Sequence, residues 1–332
     1  MIDDPNAPAK DRALAFRARG HAWLEKSDYD RAIEDFTQAV RIAPDALIHY
    51  NSRGRAYALK GELDSSLSDF DHVIARCMQD ADAKLRCRHD CFEALECAGD
   101  VYRLKGEVAR ADASYHDAIS QYCMNMSPLI HPDCRRVALK RGRQLREIGE
   151  INRALDYFSS LISSHPGTHP KFGDLNAEAL YERGLTYLET HYLADAATNA
   201  SMDFTSAIGA NPQYADAYVG RARARVAAVR REIGAGRAGA EDSPNRDYLR
   251  VIVMRALGDL DTSIELAPGN PAAYVERAEV QFYLNGDQQG HGIPREVVQR
   301  AVADCDKAIE LDPKCKRAYE VREQALRCQI GT

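Results

Sequence analysis

Arg136, Lys140 and Arg143 stand at steps of four and three residues, so on a helix their cations share one face. Such a face suits an acidic segment or a C-terminal carboxylate, because hydrogen bonds between two ionised groups are the strong ones. A solvated charged surface is the alternative reading. A second pattern is recurrent rather than clustered. Arginine fills the slot just before the small residue at Arg19, Arg53, Arg141, Arg183, Arg221 and Arg277, and Arg322 stands in the same register although Glu323 follows it. Aspartate comes one residue before the bulky slot of the following helix at Asp35, Asp69, Asp203, Asp259 and Asp304. Repetition in register argues for a structural ion pair between helices, with a basic ligand stripe as the competing reading.

The cysteines and histidines carry less. Cys87, His89 and Cys91 offer thiolate and imidazole to a metal, with Cys97 and His72 as further donors. Their spacing is looser than that of the usual zinc pairs, and a free cysteine is often simply buried. We therefore assign no metal. Disulfides are preferred: Cys123 and Cys134 flank a short loop, and Cys305 and Cys328 fall on adjacent expected helices. Bridges would imply an oxidising compartment, and buried thiols would not. For catalysis there is no glycine-rich phosphate loop, no G-x-S-x-G and no H-E-x-x-H. His21, His49, His72 and His116 are scattered over separate expected helices. No enzyme activity and no cofactor are expected.

The elements that must position these residues repeat along the chain. Ala13, Phe16, Gly20 and Trp23 recur at three- and four-residue steps, one face of a helix. Ser27 or Asp28 can cap a second helix, whose stripe is Ala32, Ile33, Phe36, Ala39 and Val40 and which Pro44 stops. The same frame returns 34 residues later at Arg53, Gly54, Tyr57 and Phe70. Further copies occupy 97–119, 141–166, 183–212, 217–268 and 273–313, and a half copy ends the chain. One helix pair cannot bury both its faces, whereas stacked pairs can, which is why the unit repeats.

These marks resemble the tetratricopeptide repeat. Its pattern of small residue, aromatic, Ala, aromatic, Ala and terminal Pro is met by Gly20, Trp23, Ala32, Phe36, Ala39 and Pro44. It is met again by Gly184, Tyr187, Ala200, Phe204, Ala207 and Pro212, and in part by Gly142, Ala154, Phe158 and Pro166. The resemblance covers residues 13–332. It implies an all-α superhelix, a solenoid of about seven helical hairpins plus a C-terminal capping helix. We expect an extension over 1–12, then one solenoid with repeats near 13–46, 47–80, 92–125, 135–168, 177–214, 215–270 and 271–315, and a cap over 316–332. The hairpins after the fourth carry insertions of 4, 22 and 11 residues. The stretch 231–247 is expected to be a mobile loop, 284–297 a similar one with Pro294 at a helix start, and 81–91, 126–134 and 169–177 extra linkers. The start, MIDDPNAP, reads like the end of a second helix closed by Pro5, so the chain is expected to begin inside a longer protein.

In this family first helices line the concave groove. The resemblance therefore places Arg17, His21, Arg55, Arg136, Lys140, Arg143 and Arg146 there as partner-binding residues. Glu178, Glu182, Glu189, Asp216, Glu276 and Glu279 would make the later half acidic. Leu24, Leu59, Leu139, Tyr181, Phe282 and Tyr283 are candidates for apolar contact. No three successive repeats carry the full Lys/Asn set with which some relatives clamp a chaperone's acidic C-terminus. The expected function is a protein-interaction scaffold holding a peptide or helix of a partner, an acidic one for the basic half. The alternative is an assembly segment of a larger protein with no groove ligand. Composition fits: 44 Lys+Arg against 50 Asp+Glu leave a net charge of −6, which lacks the basic footprint of a nucleic-acid binder. No apolar run is long enough to span a membrane. The start has no signal-peptide pattern, which implies the cytoplasm by default, or the periplasm or exterior for a truncated chain with disulfides.

Overall fold

The computed structural model describes residues 7–79, 87–123, 132–163, 173–190, 195–234, 244–285 and 293–330. Pro5, Pro166 and the side chains of Tyr283 and Cys328 lie outside what it describes. The described residues form fifteen helices and no strand. None of these helices is long and apolar enough to cross a membrane. The chain divides into two compact units, Met1–Ile148 and Gly149–Thr332.

The first unit holds α1 (Ala9–Glu25), α2 (Tyr29–Ile42), α3 (Leu47–Lys60), α4 (Leu63–Gln79), α5 (Arg88–Leu104), α6 (Val108–Tyr122) and α7 (Pro132–Glu147). Each helix packs on the next, and the odd-numbered helices α1, α3 and α5 also touch in series. The second unit holds α8 (Ile151–Ser163), α9 (Gly173–Glu189), α10 (Ala196–Ala210), α11 (Ala215–Gly234), α12 (Pro244–Leu266), α13 (Pro271–Asn285), α14 (Arg295–Leu311) and α15 (Lys316–Ile330), again packed in order, with α9, α11, α13 and α15 in series. Six hairpins lie within the units, α7 is the last helix of the first unit, α8 the first of the second, and α15 follows the last hairpin.

In four of the six hairpins a ring on the second helix lies over a glycine on the first, while α11–α12 and α13–α14 pack Ala222 and Ala278 with Leu260 and Cys305 in the same slots. A Cβ at Gly20 would come within 2.6 Å of Phe36, and one at Gly54 within 2.8 Å of Phe70. Gly99 and Tyr115 repeat this at 2.5 Å, and Gly184 and Phe204 at 2.8 Å. Ala32, Ala39, Ala56, Ala111 and Ala200 are buried beside these rings, where nothing larger fits. In the turns, Gly61, Gly106 and Gly149 have φ of 90°, 75° and 81°, while Ser27 takes φ 58° in the first hairpin. Ser27 is therefore a turn residue, and the cap is Asp28, whose carboxylate accepts from the Arg31 amide.

The expected Arg–Asp pairs are present between the two helices of every hairpin but α5–α6, where Ala98 and Ser114 occupy the two slots. Arg19–Asp35, Arg53–Asp69, Arg183–Asp203, Arg221–Asp259 and Arg277–Asp304 are all two-pronged, with N···O distances of 2.6–3.0 Å. Several of these arginines also reach back to the preceding second helix: Arg53 to Thr37, Arg183 to Ser159 and Arg277 to Asp261. Arg141 and Arg322 make that backward contact, to Asp112 and Asp306. A ring three residues earlier supports the guanidinium, as in Arg53 over Tyr50, Arg221 over Tyr218 and Arg277 over Tyr274. The hydroxyls of Tyr218, Tyr274 and Tyr319 donate to the carbonyls of Pro212, Pro268 and Pro313, tying each linker to the helix after it.

Several expected linkers are shorter than the sequence suggested. Residues 231–234 belong to α11 and 244–247 to α12, so the ends of the expected loop are helical, with Pro244 at a first helical position that its fixed φ suits. Likewise α5 starts at Arg88, α7 at Pro132 and α9 at Gly173, inside the stretches read as linkers. Pro294 stands at the N-cap of α14, one residue before the helix.

Candidate functional site

The odd-numbered helices of the first unit bring the candidate side chains onto adjoining faces. Arg17 and His21, one turn apart on α1, sit near Arg55 of α3 and Glu93 of α5. The His21 ring meets Phe36 edge-on at 5.1 Å, and its Nε2 is 3.4 Å from the Ser52 hydroxyl. Burial lowers the His21 pKa, and Arg17 and Arg55 push it the same way. His49, buried on α3, is lowered by burial and then by Arg17, and its Nδ1 has no partner. Both imidazoles are thus held neutral beside a cation. Arg55 pairs with Glu93 at 3.1 Å. Arg17, half-buried, makes no hydrogen bond or ion pair with any described residue.

The other cluster joins α5 to α7. Arg136 grips Glu96 with two hydrogen bonds of 2.9 and 2.7 Å and also takes Asp133 at 2.7 Å. Lys140 donates to Glu96 at 2.7 Å and Asp100 at 2.6 Å. Burial alone would raise the Glu96 carboxyl, but the hydrogen bonds from Arg136 and Lys140 outweigh it and hold the group below its ordinary range. Burial likewise opposes the Lys140 charge, and Asp100 and Glu96 more than restore it. Arg143 and Arg146, half-buried further along α7, are engaged by neighbouring groups. The basic row on α7 thus meets an acidic row on α5. The sequence signal for that row was Glu93, Glu96 and Asp100 at three- and four-residue steps, which a search for cations passes over.

The second unit shows the same device, a buried glutamate held by cations of other first helices. Glu276 on α13 takes Arg223 of α11 at 2.6 Å and Arg317 of α15 at 3.0 Å. Glu279 takes Arg317 at 2.6 Å and Arg230 at 3.7 Å. Asp216 accepts from Asn270 at 2.8 Å, and Glu178, Glu182 and Glu189 all have partners. Of the apolar candidates, Leu139 is core, Leu59 is exposed, and Leu24, Tyr181 and Phe282 are half-buried.

The cysteines sort differently from the metal set read in the sequence. Cys91 is bridged to Cys77 and Cys123 to Cys134, while Cys87, Cys97, Cys305 and Cys315 are unbridged. The second bridge was expected; the first was not. Cys305 is unbridged, and its expected partner Cys328 lies outside the described side chains. With Cys91 oxidised, the Cys87–His89–Cys91 set cannot ligate. One trio among the described residues, His89, Asp90 and Glu93, brings donor atoms within 4.8 Å of one another. Arg55 already neutralises Glu93, and the first turn of a helix opposes a cation, so the trio carries no metal assignment. Burial pushes the Cys97 and Cys305 thiols up to about 12, which leaves them as packing groups.

Comparison with known proteins follows the same lines. Residues 17–81 and 136–168 each match a family model of the tetratricopeptide repeat. No curated protein matches the chain. A tetratricopeptide repeat protein from Parabacteroides merdae is similar in structure, with TM-score 0.56, 14% identity and coverage of 95% of this chain and 98% of that one. The C-terminal part of a repeat-containing protein from Cytophaga hutchinsonii gives TM-score 0.55 at 20% identity, covering 92% and 98%. The Cut9–Hcn1 hetero-tetramer of the APC/C gives 0.56 at 14% identity, covering 98% of this chain and 50% of that one.

Proposed function

The chain is a tetratricopeptide-repeat protein, and on that footing we propose that it is a protein-interaction scaffold whose first unit holds an acidic peptide segment of a partner. The supporting observation is Arg17. Most arginines on the first helices are matched to a carboxylate of the same chain, and this one is not. It stands half-buried beside His21 and Arg55, with two neutral imidazoles that add no competing charge. Asp90 of α5 feels the Arg17 charge without bonding to it, so a partner carboxylate placed there gains a charge-assisted hydrogen bond while working against Asp90. At Arg136, Lys140, Arg143 and Arg146 an acidic ligand instead competes with groups already in place, so this cluster sets register rather than supplying the first contact. The role is binding and not turnover. The Cut9–Hcn1 neighbour is itself part of a protein assembly, in keeping with this reading.

A second reading has its own support. Because so many first-helix charges are spent on neighbouring first helices, the array also suits a pre-assembled structural segment with no groove ligand. Selection from a displayed random-peptide library separates the two. Binding predicts enrichment of acidic peptides on the intact chain and their loss on the Arg17→Glu variant. No enrichment, or equal enrichment on both, supports the structural segment.

A further inference from the structure

The two disulfides of the first unit look alike in placement. Each ties the end of a second helix to the start of the next first helix: Cys77 in α4 to Cys91 in α5, and Cys123 after α6 to Cys134 in α7. Their Cα–Cα distances are 6.1 and 6.0 Å. All four cysteines are buried, with Cys77 and Cys91 only 2% and 1% exposed. An external reductant must reach a sulfur along the S–S axis, and neither bridge offers that approach from solvent.

The joints differ in one respect. Cys87, at the N-cap of α5, is unbridged, partly exposed and one turn before Cys91. It packs against the same apolar cluster that contains Cys77 and Cys91. Among the described residues the α6–α7 joint has no third cysteine. Cys97, the other unbridged cysteine of this unit, is disabled by burial, as shown above.

We propose that Cys77, Cys87 and Cys91 form a thiol–disulfide exchange site, in which Cys87 is the entry point for a dithiol reductant. The Cys87 thiolate attacks the Cys77 sulfur. A Cys77–Cys87 bond forms, the Cys77–Cys91 bond breaks, and Cys91 leaves as a thiolate that takes a proton from water. The new bridge includes a sulfur that solvent reaches. One thiolate of the external dithiol attacks Cys87 and releases Cys77. The second thiolate then attacks the mixed disulfide, releasing Cys87 and leaving the reagent as a disulfide. Two electrons pass from the dithiol to the protein, and the joint between α4 and α5 is left open. This site is independent of the peptide-binding role.

The test follows both bridges in one molecule. The intact chain is exposed to dithiothreitol, quenched by alkylation at intervals, and mapped by mass spectrometry. Cys77–Cys91 should open at least about tenfold faster than Cys123–Cys134. In Cys87→Ser, which keeps a good N-cap residue, that advantage should vanish while the Cys123–Cys134 rate stays unchanged. The proposal is overturned if the wild-type bridges open at equal rates or if Cys87→Ser keeps the faster opening. It is equally overturned if Cys77 and Cys91 are free thiols before reductant is added.

Discussion

Ser27 occupies a turn position that glycine fills in the next hairpins, and at φ 58° its Cβ crowds the backbone. The left-handed conformation costs an L-residue about 1–2 kcal/mol. Ser27→Gly should therefore stabilise the chain by roughly 1 kcal/mol after glycine's larger unfolding entropy is allowed for, read as a higher urea midpoint at unchanged slope. Titration supplies a second residue-scale prediction. His49 has its pKa lowered by burial and by Arg17, so the folded state keeps it neutral while the unfolded chain protonates near pH 6.5. Its contribution is fully present above pH 6.5 and is lost as the pH falls below it. His21 acts in the same direction. Denaturant melts between pH 7.5 and 5.5 should show falling stability, and His49→Gln should flatten that fall. A slope unchanged in His49→Gln would contradict the assigned burial. How legible these residues were depended on register. The Arg–Asp pairs could be read because both partners sit at fixed places in one repeat. The Glu96–Arg136–Lys140 cluster could not, because its partners lie on successive first helices separated by a linker outside the repeat length.

At the scale of the element, four hairpins depend on a ring crossing a glycine, at Gly20, Gly54, Gly99 and Gly184. Phe70 is fully buried over Gly54, so Phe70→Ala should cost about 3–5 kcal/mol. Gly54→Ala places a methyl 2.8 Å from the Phe70 ring and should cost about 1–3 kcal/mol by overpacking. Tyr57, one turn further along α3, is only half-buried and should matter less than either. Melts of the three variants would rank them. A neutral Gly54→Ala would mean that α3 and α4 do not pack as described. Hairpin order was legible because small and large residues alternate at constant spacing. Helix starts at Arg88, Pro132, Gly173 and Pro244 were less so, since the insertions before them break the repeat spacing, the last three with glycine or proline as well.

At the scale of the whole molecule, the chain forms two compact units. Each unit carries its own apolar clusters, so residues 1–148 expressed alone should unfold cooperatively by circular dichroism. Both described disulfides lie in this unit and close separations of 14 and 11 residues. Loop entropy makes each worth about 3 kcal/mol, so reduction should sharply lower the midpoint of 1–148. Cys77–Cys91 escaped the sequence reading because the pair spans two repeats and an insertion, whereas Cys123 and Cys134 sit close along the chain. On the proposed function, the first unit offers Arg17 to an acidic partner segment. Fluorescence anisotropy of a labelled acidic peptide taken from the library selection tests it most directly. Arg17→Glu should weaken binding at least about tenfold, the loss of one desolvated charge contact, and Glu96→Gln should tighten it by relaxing the hold on Arg136 and Lys140. Equal affinity for wild type and Arg17→Glu, at matched helicity, would contradict the account.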